Sequence, residues 1–464
     1  MTAQAWAEET FGNAQLGDVR RTRRLVSMAR RAALAPAGLV TEVFRVAAER
    51  QAAYDLLEHD NVSAEALSES LFRATAHSCR AQKRVFVLLD GASVGITDRL
   101  GMKGFGRTGT WAEGGLGLKV MNALAVNEHG TPLGVADQIW WRRPVDVRIG
   151  KSKKYRPAKE RESYRWREAV ERVAGRFATE APNARLHFIA DREAETTLMI
   201  QTLLRSGHEF TLRSNATRKV QGRHQRLRLR SVLAQQPPVA RVKVEIPETA
   251  RHPSRQAVLD VRAARVPLVL RDRYYCERKV VELTVIWARE RGHRGSKIDW
   301  TLITNVDVKS AADACEAIRR YARRWRIEDF HRTWKSGLCN VEATQLRSPS
   351  AVIKWATILA AVASRAERLR HLYRETPHAP ASAEFSSTEI EAIVLLKSED
   401  SRRERITAEG LTIVKAIRWI AHLGGYVGNR GSGPPGATTI ARGLERVDQA
   451  SSLLAKLQSI GRLR

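Results

Sequence analysis

Two short apolar runs, each followed by an aspartate, stand out in the hydrophobic pattern of the chain. Residues 85–89 read Val-Phe-Val-Leu-Leu before Asp90, and the largely apolar residues 186–190 precede Asp191. Such runs are typical of strands that are buried on both faces of a sheet. Because functional groups gather at the carboxyl ends of strands in open α/β sheets, the pattern predicts that two strands end here and bring both carboxylates together.

Further strands and helices alternate around these two runs, which predicts an α/β fold. Residues 119–136 have the pattern of a hairpin, with its turn near residue 129, and residues 158–178 that of a charged helix. The stretch from about 208 to 306 is rich in strands. Its candidate strands are 208–214, 242–246, 257–263, 281–288 and 298–304.

Helical patterns dominate both ends of the chain. Ser310 and Asp313 have the spacing of a capping box and predict a long helix, straight or bent, that reaches about residue 336. Another helix is predicted at 352–373, and residues 381–464 contain three more helical patterns. We therefore expect three domains. They are a helical N-terminal domain at 1–70, a middle domain at 71–372 and a helical C-terminal domain at 373–464.

The charge balance predicts a polyanionic partner. Lys and Arg number 79 against 50 Asp and Glu, a net charge of +29. Because the basic residues are interspersed with core-forming apolar residues instead of being confined to tails, a folded protein that binds nucleic acid is favoured. On the first helical segment, the candidate DNA contacts are Arg20, Arg21, Arg23 and Arg24. Further candidates are Lys151, Lys153, Lys154, Arg156, Arg218, Lys219, Arg223, Arg226, Arg228 and Arg230.

Several classes of protein are disfavoured by the same sequence. No apolar run is long enough to span a bilayer, and the first nine residues lack the basic start of a secretory signal, so we expect a cytoplasmic protein. The cysteines are scattered without a C-x-x-C pair, which predicts neither a zinc site nor a disulfide framework. The four cysteines are Cys79, Cys276, Cys315 and Cys339.

A third acidic residue lies among basic and aromatic residues at helical spacing. Tyr321, Arg324, Glu328 and Lys335 are three, four and seven residues apart, which predicts one stripe on a helix. An acid in that stripe can ligate a metal while its neighbours hold phosphate oxygens. The alternative is an exposed helix in which Arg324 and Glu328 form an ordinary ion pair. The aromatic and aliphatic residues on its other faces are expected in the core; they are Trp325, Ile327, Phe330 and Trp334.

Other acidic residues fit less well. Asp98 and Asp137 are rivals of Asp90, but neither follows a buried strand so directly. The spacing from Glu328 to His331 also fits a di-iron helix motif. That motif requires a second such pair on another predicted helix together with bundle glutamates, and we do not find this set in the sequence.

The string Y-x-x-R-x-x-x-E-x-x-x-x-x-x-K, from Tyr321 to Lys335, resembles the signature of the IS-four (insertion sequence four) family of DDE transposases. The segments around it at 16–22, 138–144 and 190–194 resemble that family in the same order, and the likeness extends from about residue 5 to about 455. This resemblance implies an RNase H-like catalytic domain at 71–372 with an inserted antiparallel β subdomain at about 208–306. It also implies that the helical N-terminal domain at 1–70 binds DNA and that the helical C-terminal domain at 373–464 mediates dimerisation. The insertion accounts for the 137 residues between Asp191 and Glu328.

The resemblance also implies the chemistry. Asp90, Asp191 and Glu328 would be the catalytic residues and would hold two Mg²⁺ ions, which Mn²⁺ can replace. The implied function is cut-and-paste DNA transposition: cleavage of the transposon ends, through a hairpin intermediate, and joining to target DNA. The implied partners are double-stranded DNA, as inverted repeats and as target, and a second copy of the chain in the end-synapsed complex. The resemblance further implies a bacterial, nucleoid-associated protein.

The resemblance assigns DNA contacts near the catalytic centre as well. Trp300 would stack on a flipped base, and Arg213 would lie near the same DNA end. Tyr321, Arg324 and Lys335 would hold phosphates. The sequence leaves two alternative functions open. One is a metal-dependent DNA endonuclease without strand transfer, and the other is an inactive DNA-binding regulator derived from a transposase.

Overall fold

A computed structural model of the protein describes residues 1–109, 114–144, 161–215, 218–221, 226–246, 255–271, 278–295, 297–398, 408–429 and 433–460. Within these ranges the strands form one mixed sheet. They are β1 (Arg84–Gly95), β2 (Gly106–Arg107), β3 (Leu116–Val126), β4 (Pro132–Trp141), β5 (Arg185–Ala190), β6 (Glu209–Arg213), β7 (Lys219–Gln221), β8 (Arg226–Arg228), β9 (Ala240–Ile246), β10 (Arg255–Arg271), β11 (Arg278–Glu290) and β12 (Asp299–Thr304).

The centre of the sheet has the order β4-β3-β1-β5-β6. β1, β3 and β4 form an antiparallel meander, whereas β5 pairs parallel to β1 and β6 pairs parallel to β5. The remaining strands continue this sheet, since β12 pairs antiparallel with β6 and is followed in space by β11 and β10. The strand-rich stretch predicted at about 208–306 is therefore confirmed as strands, and it extends the central sheet.

Helices surround the sheet and form both ends of the chain. They are α1 (Ala3–Phe11), α2 (Val19–Leu34), α3 (Val40–Val43), α4 (Ala47–Glu58), α5 (Ala64–Ser78), α6 (Tyr164–Glu180), α7 (Thr197–Ser206), α8 (Leu229–Ala234), α9 (Ala311–Ala322), α10 (Trp325–Lys335), α11 (Pro349–Glu375), α12 (Ser387–Ser398), α13 (Ile413–Leu423) and α14 (Ala437–Ser459). The mixed α/β class with helical ends is confirmed. None of the helices that the structure describes is long and apolar enough to cross a membrane.

The two faces of the sheet are covered by different helices. On one face, a core built around β1, β3 and α11 continues without a break into the N-terminal helices α1 to α4. The other face packs against α6 and α7, and the C-terminal helices α12 to α14 form a third cluster. Residues 85–89 of β1 are all completely buried or nearly so, as their continuous apolar run predicts.

The predicted domain boundaries both fall within helices. Residue 70 lies inside α5, and residue 372 lies inside α11, which has 27 residues. Because α11 packs against the N-terminal helices, β4 and α10, it connects the N-terminal helices to the sheet and to α10. The buried Lys354 shows this coupling, since its Nζ donates to the carbonyl oxygens of Leu57 at 2.9 Å and His59 at 3.0 Å.

Candidate active site

Asp90 and Asp191 lie side by side on the two central parallel strands. The parallel pairing of β1 with β5 runs up to Leu89 opposite Ala190, so each aspartate is the next residue beyond the last pair. Asp191 ends its strand, as predicted, and its carboxylate accepts from the backbone N–H of Glu193 at 2.8 Å, where a short 3₁₀ helix begins.

The prediction that a strand ends at Asp90 is wrong. β1 continues to Gly95 because its antiparallel partner β3 also continues, with Asp90 opposite Asn122 and Gly95 opposite Gly117. Asp90 therefore has no partner on β5 but still pairs with Asn122 on β3. Its backbone lies within the sheet and not in a loop.

Glu328 lies in the first turn of α10, and the predicted single stripe is interrupted. The chain bends at Arg323 and Arg324, between α9 and α10, where the backbone N–H groups of Arg326 and Ile327 bond three residues back. The capping box of Ser310 and Asp313 is confirmed at the start of α9. Tyr321 thus ends one helix, whereas Glu328 and Lys335 belong to the next.

The carboxylate of Glu328 is half-exposed and accepts from the guanidinium of Arg324. This is the i,i+4 pair that the sequence left as an alternative. The Arg324 side chain is only 12% exposed, and Asp90 and Glu328 together help to raise its pKa against the lowering effect of burial. Arg324 is therefore the cation that faces the acidic residues of this site.

Asp90 is in the electrostatic field of both other acids. The pKa of Asp90 is raised to about 7, mainly because burial disfavours its charged form. The charge of Arg324 lowers this pKa, whereas the charges of Asp191 and Glu328 raise it. The three predicted catalytic residues are thus brought into one electrostatic environment.

A hard divalent cation fits these residues in charge and in donor type, since carboxylate oxygens are the ligands preferred by Mg²⁺ and Mn²⁺. In the described part of the chain, however, no three His, Cys, Asp or Glu side chains come close enough together to hold a metal ion. The carboxylate of Glu328 is paired with Arg324 instead.

The rival acids have structural partners elsewhere. Asp98 accepts from the backbone N–H groups of Met102 at 3.2 Å and Lys103 at 3.0 Å, and so shapes a loop. Asp137 is 1% exposed and lies 3.0 Å from the guanidinium of Arg172. Neither acid belongs to the group around Asp90.

Aromatic packing surrounds the residues predicted to contact DNA. Trp300 is only 6% exposed, and its ring lies edge-on to Tyr321 at 5.0 Å and to Trp325 at 5.5 Å. Tyr321 is 2% exposed, and burial raises the pKa of its hydroxyl while the nearby Arg324 and Arg213 lower it. Arg213 is therefore near Tyr321, and its contact with DNA stays a prediction. Base stacking on Trp300 stays a prediction, and it requires this aromatic cluster to open.

Lys335 lies on α10 at the other end of the site. Its Nζ is 3.4 Å from Glu342 Oε1, which also accepts from the backbone N–H of Gly95 at 3.0 Å. Lys119 on β3 is a second lysine near this site, which the sequence did not suggest. Its Nζ donates to Ser93 Oγ at 2.8 Å. Burial, Arg143 and Lys335 lower the pKa of Lys119. The signal that could have found it is a lysine within an apolar strand.

His331 is a second residue whose place sequence reasoning missed. It lies on α10 one turn beyond Glu328, with Nδ1 3.7 Å from Asp90 Oδ2 and Nε2 2.9 Å from Asn122 Nδ2. Burial lowers the pKa of its imidazole to about 3, with Lys335 and Arg324 adding to the effect. Its ring is therefore neutral near pH 7. The available signal was a pair of amides, Asn122 and Gln138, on neighbouring strands that are mostly apolar.

The arginines predicted to contact DNA at the N-terminus differ in exposure. Arg20, Arg23 and Arg24 are exposed on α2. Arg21 is half-buried, and its guanidinium donates to the carbonyl oxygen of Leu16 at 3.0 Å. Lys151, Lys153, Lys154, Arg156 and Arg223, together with the side chain of Arg226, lie outside the described residues.

Residues 3–62 match the sequence model of a family described as transposase DNA-binding. The matched segment covers α1 to α4 and includes the exposed arginines of α2. This match supports a transposase as the class of protein and DNA as its partner, in agreement with the net charge of +29. It ends 28 residues before Asp90, so it does not extend to the acidic site (90 − 62 = 28).

The raised pKa of Asp90 predicts a pH-dependent stability of the metal-free protein. The unfolded chain releases this proton near pH 4, whereas the folded protein keeps it until about pH 7, so stability falls as pH rises through that window. Asp90→Asn removes this loss. In EDTA, we expect the variant to match the wild type at pH 4 and to exceed it at pH 8 by at most a few kcal/mol, since one pKa unit is worth about 1.4 kcal/mol. Urea unfolding at both pH values measures this, and a difference that does not change with pH contradicts it.

Proposed function

We propose that the protein is a cut-and-paste DNA transposase of the IS-four family, similar to the Tn-five transposase. In this proposal Asp90, Asp191 and Glu328 form its catalytic site. The observation that carries the proposal is the position of Asp90 and Asp191 side by side on adjacent strands, close enough to Glu328 for both charges to act on Asp90, in a chain whose N-terminus matches a transposase DNA-binding family. The strand order β4-β3-β1-β5-β6, with two parallel pairs beside an antiparallel meander, supports an RNase H-like core.

The three carboxylates would hold two Mg²⁺ or Mn²⁺ ions. When bound, such ions activate a water or a DNA 3′-hydroxyl and stabilise the leaving oxygen at phosphorus. Asp90 and Asp191 provide a fixed part of the site because adjacent strands hold their backbones. Glu328 is the adjustable part, since its carboxylate must leave Arg324 to join them.

The chain's own cations would bind the DNA end. Arg324 would exchange the Glu328 carboxylate for a phosphate, and Lys335 and Lys119 line the neighbouring part of the site. Because a guanidinium binds phosphate in a bidentate manner, Arg324 can fix the orientation of the scissile strand. The reactions would be nicking at the transposon end, formation and opening of a hairpin, and strand transfer into target DNA.

The remaining parts of the chain would complete the assembly. In this proposal the helical segment after residue 373 contributes the contact between two copies, because two transposon ends must be brought together. Exposed apolar residues are present there, with Leu453 59% and Ile460 62% exposed. The protein would act in the cytoplasm, on the nucleoid of a bacterium.

Incubation with DNA that carries the inverted repeats flanking the gene tests this proposal. With Mg²⁺, we expect nicks at the transposon ends, hairpins on the excised fragment, and joined products when target DNA is present. Supplying pre-cut ends with target DNA separates a transposase from a nuclease, because only strand transfer joins them. Specific end binding without any cleavage in Mg²⁺ or Mn²⁺ indicates the inactive regulator instead and contradicts the proposal.

The exposed arginines of α2 predict a salt-dependent contribution to end binding. If Arg23 and Arg24 each contact a phosphate, replacing either with Ala reduces the slope of log K against log salt by roughly 0.9. Fluorescence anisotropy with labelled end DNA over a range of salt concentrations measures this slope. Lys415→Ala, an exposed substitution on the C-terminal helix α13, is the control and should leave the slope unchanged. Equal slopes for all four proteins would remove α2 from the DNA interface.

A further inference from the structure

A line of hydrogen-bonded side chains leads from the interior of the protein to His331, which lies beside Asp90. Thr357 Oγ1 donates to Gln138 Oε1 at 3.2 Å, and Gln138 Nε2 donates to Asn122 Oδ1 at 2.7 Å. Asn122 Nδ2 lies 2.9 Å from His331 Nε2, and His331 Nδ1 lies 3.7 Å from Asp90 Oδ2. Four elements, β3, β4, α10 and α11, therefore contribute to one polar line that ends beside a predicted catalytic acid.

The line lies almost entirely in the core. Asn122 is 1%, Gln138 3% and Thr357 0% exposed. Burying polar groups to this extent costs free energy unless they are hydrogen-bonded. Here each side chain is bonded to the next. The sheet register explains how they meet, because Asn122 lies opposite Asp90 on one side and opposite Gln138 on the other.

The direction of the hydrogen bonds determines which nitrogen of His331 carries the proton. Asn122 uses its oxygen to accept from Gln138, so its NH₂ group is directed at His331 Nε2. Nε2 must then accept, and the single proton of the neutral ring lies on Nδ1. If both amides were reversed, a bare Nδ1 would face the carboxylate oxygen of Asp90, which is repulsive whenever Asp90 is ionised.

We propose that His331 is a positioning residue for Asp90: its Nδ1–H, aligned by the Asn122 amide, holds Asp90 Oδ2 and leaves the other carboxylate oxygen for the metal. This inference rests on the proposed function, since it concerns the same site. A hydrogen bond of this kind orients a ligating carboxylate, and such outer partners strongly affect metal affinity. Because the two atoms are 3.7 Å apart, the hydrogen bond requires a movement of about 0.7 Å by one of the two side chains.

The same geometry argues against His331 as a metal ligand, although it follows Glu328 by three residues. A ligating imidazole needs a nitrogen with a free lone pair. Nε2 is occupied by the Asn122 amide, and Nδ1 carries the proton. His331 instead connects two parts of the site, because it ties the helix that carries Glu328 to the strand that carries Asp90.

Nitrogen NMR of the histidine-labelled, metal-free protein near pH 9, where Asp90 is ionised, tests the arrangement directly. We expect His331 to show a protonated Nδ1 and an unprotonated Nε2, with its signals assigned by their loss in His331→Asn. This readout does not depend on catalysis. A proton on Nε2 overturns the inference.

Mn²⁺ binding by the whole protein tests the consequence, and two amide substitutions form a matched pair. The Asn side chain places its NH₂ group near the position of Nδ1, whereas the amide of Gln reaches the position of Nε2. We therefore expect His331→Gln to weaken Mn²⁺ binding by about 10- to 100-fold, as for the loss of an outer-sphere partner, and His331→Asn to retain most of the affinity. Electron paramagnetic resonance of free Mn²⁺ measures both.

The outcomes distinguish this inference from the proposed function. Equal Mn²⁺ affinity in wild type and His331→Gln overturns the positioning role, and so does a histidine nitrogen coupled to bound Mn²⁺ in a spin-echo experiment. Failure of the wild type to bind Mn²⁺ with or without end DNA contradicts the proposed metal site itself. The proposed function survives if the wild type cleaves DNA ends while His331→Gln behaves as the wild type does.

Discussion

Asp191→Asn and Glu328→Gln should each reduce end cleavage by about a thousandfold or more while end binding stays at the wild-type level. Each substitution keeps the shape of the side chain and removes one negative charge, so the site loses a metal ligand without a change in packing. The several kcal/mol that bound metal contributes to the transition state correspond to about three powers of ten in rate. Asp90→Asn should have the same effect on cleavage. Quantified gel assays of cleavage and binding on the same DNA measure both quantities.

Asp329→Asn is the matched control on the same helix. Asp329 follows Glu328 directly, but its carboxylate lies 3.5 Å from Arg326 and 3.4 Å from Arg332 on a different side of α10. We expect its cleavage rate to stay close to that of the wild type. Full cleavage by Asp191→Asn or Glu328→Gln would refute the assignment of the catalytic acids.

Trp334→Ala should lower the free energy of unfolding by about 3–5 kcal/mol, the range for removing a large aromatic side chain from a core. Trp334 is completely buried, stacks on Phe330 with ring centroids 5.8 Å apart, and meets Trp140 edge-on at 5.8 Å. Its indole N–H also donates to the carbonyl oxygen of Ala356 at 2.9 Å. Trp334 therefore packs α10, the helix that carries Glu328, against α11. Urea or thermal unfolding measures the change.

Two substitutions provide the comparison for Trp334→Ala. Trp334→Phe keeps an aromatic ring and loses the hydrogen bond to Ala356, so its cost should be clearly smaller. Trp325→Ala, at the half-buried start of the same helix, should also cost less. A loss below about 1 kcal/mol for Trp334→Ala contradicts the packing of α10 described above, because full burial of such a ring is worth more.

The positions of Asp191 and of the buried strands were predictable because the local pattern is sufficient there. A continuous apolar run can be accommodated only between two covered faces, and residues 85–89 and 186–190 both contain one. The capping box of Ser310 and Asp313 was predictable for the same reason, since its hydrogen bonds join residues three apart. In each case the sequence contains the whole interaction.

The end of β1 could not be predicted, because it depends on a distant partner. The small residues after Asp90 indicate neither strand nor loop by themselves, and only the pairing with β3 extends the strand to Gly95. The bend between α9 and α10 was left open for a similar reason. Residues compatible with a helix continue through Arg323 and Arg324. The sequence therefore does not show where the backbone hydrogen bonds change from four residues back to three residues back.

The surroundings of the candidate site were the least predictable part. The burial of Trp300 arises from contacts with Tyr321 and Trp325, which come from other elements. His331 acquires its place beside Asp90 only when α10 packs on the sheet, and 241 residues separate the two in the chain (331 − 90 = 241). Spacing along one helix suggested a metal motif for His331, whereas the tertiary contacts indicate a hydrogen-bond donor.

Anomalous diffraction from crystals of the protein with Mn²⁺ and a transposon-end DNA is the sharpest test of the proposed catalytic site. We expect two Mn²⁺ peaks roughly 3.5–4 Å apart, ligated by Asp90, Asp191 and Glu328, with Arg324 turned from Glu328 to the DNA backbone. Peaks bound by other residues, or carboxylates of these three acids that stay more than about 10 Å apart in the DNA complex, would contradict it.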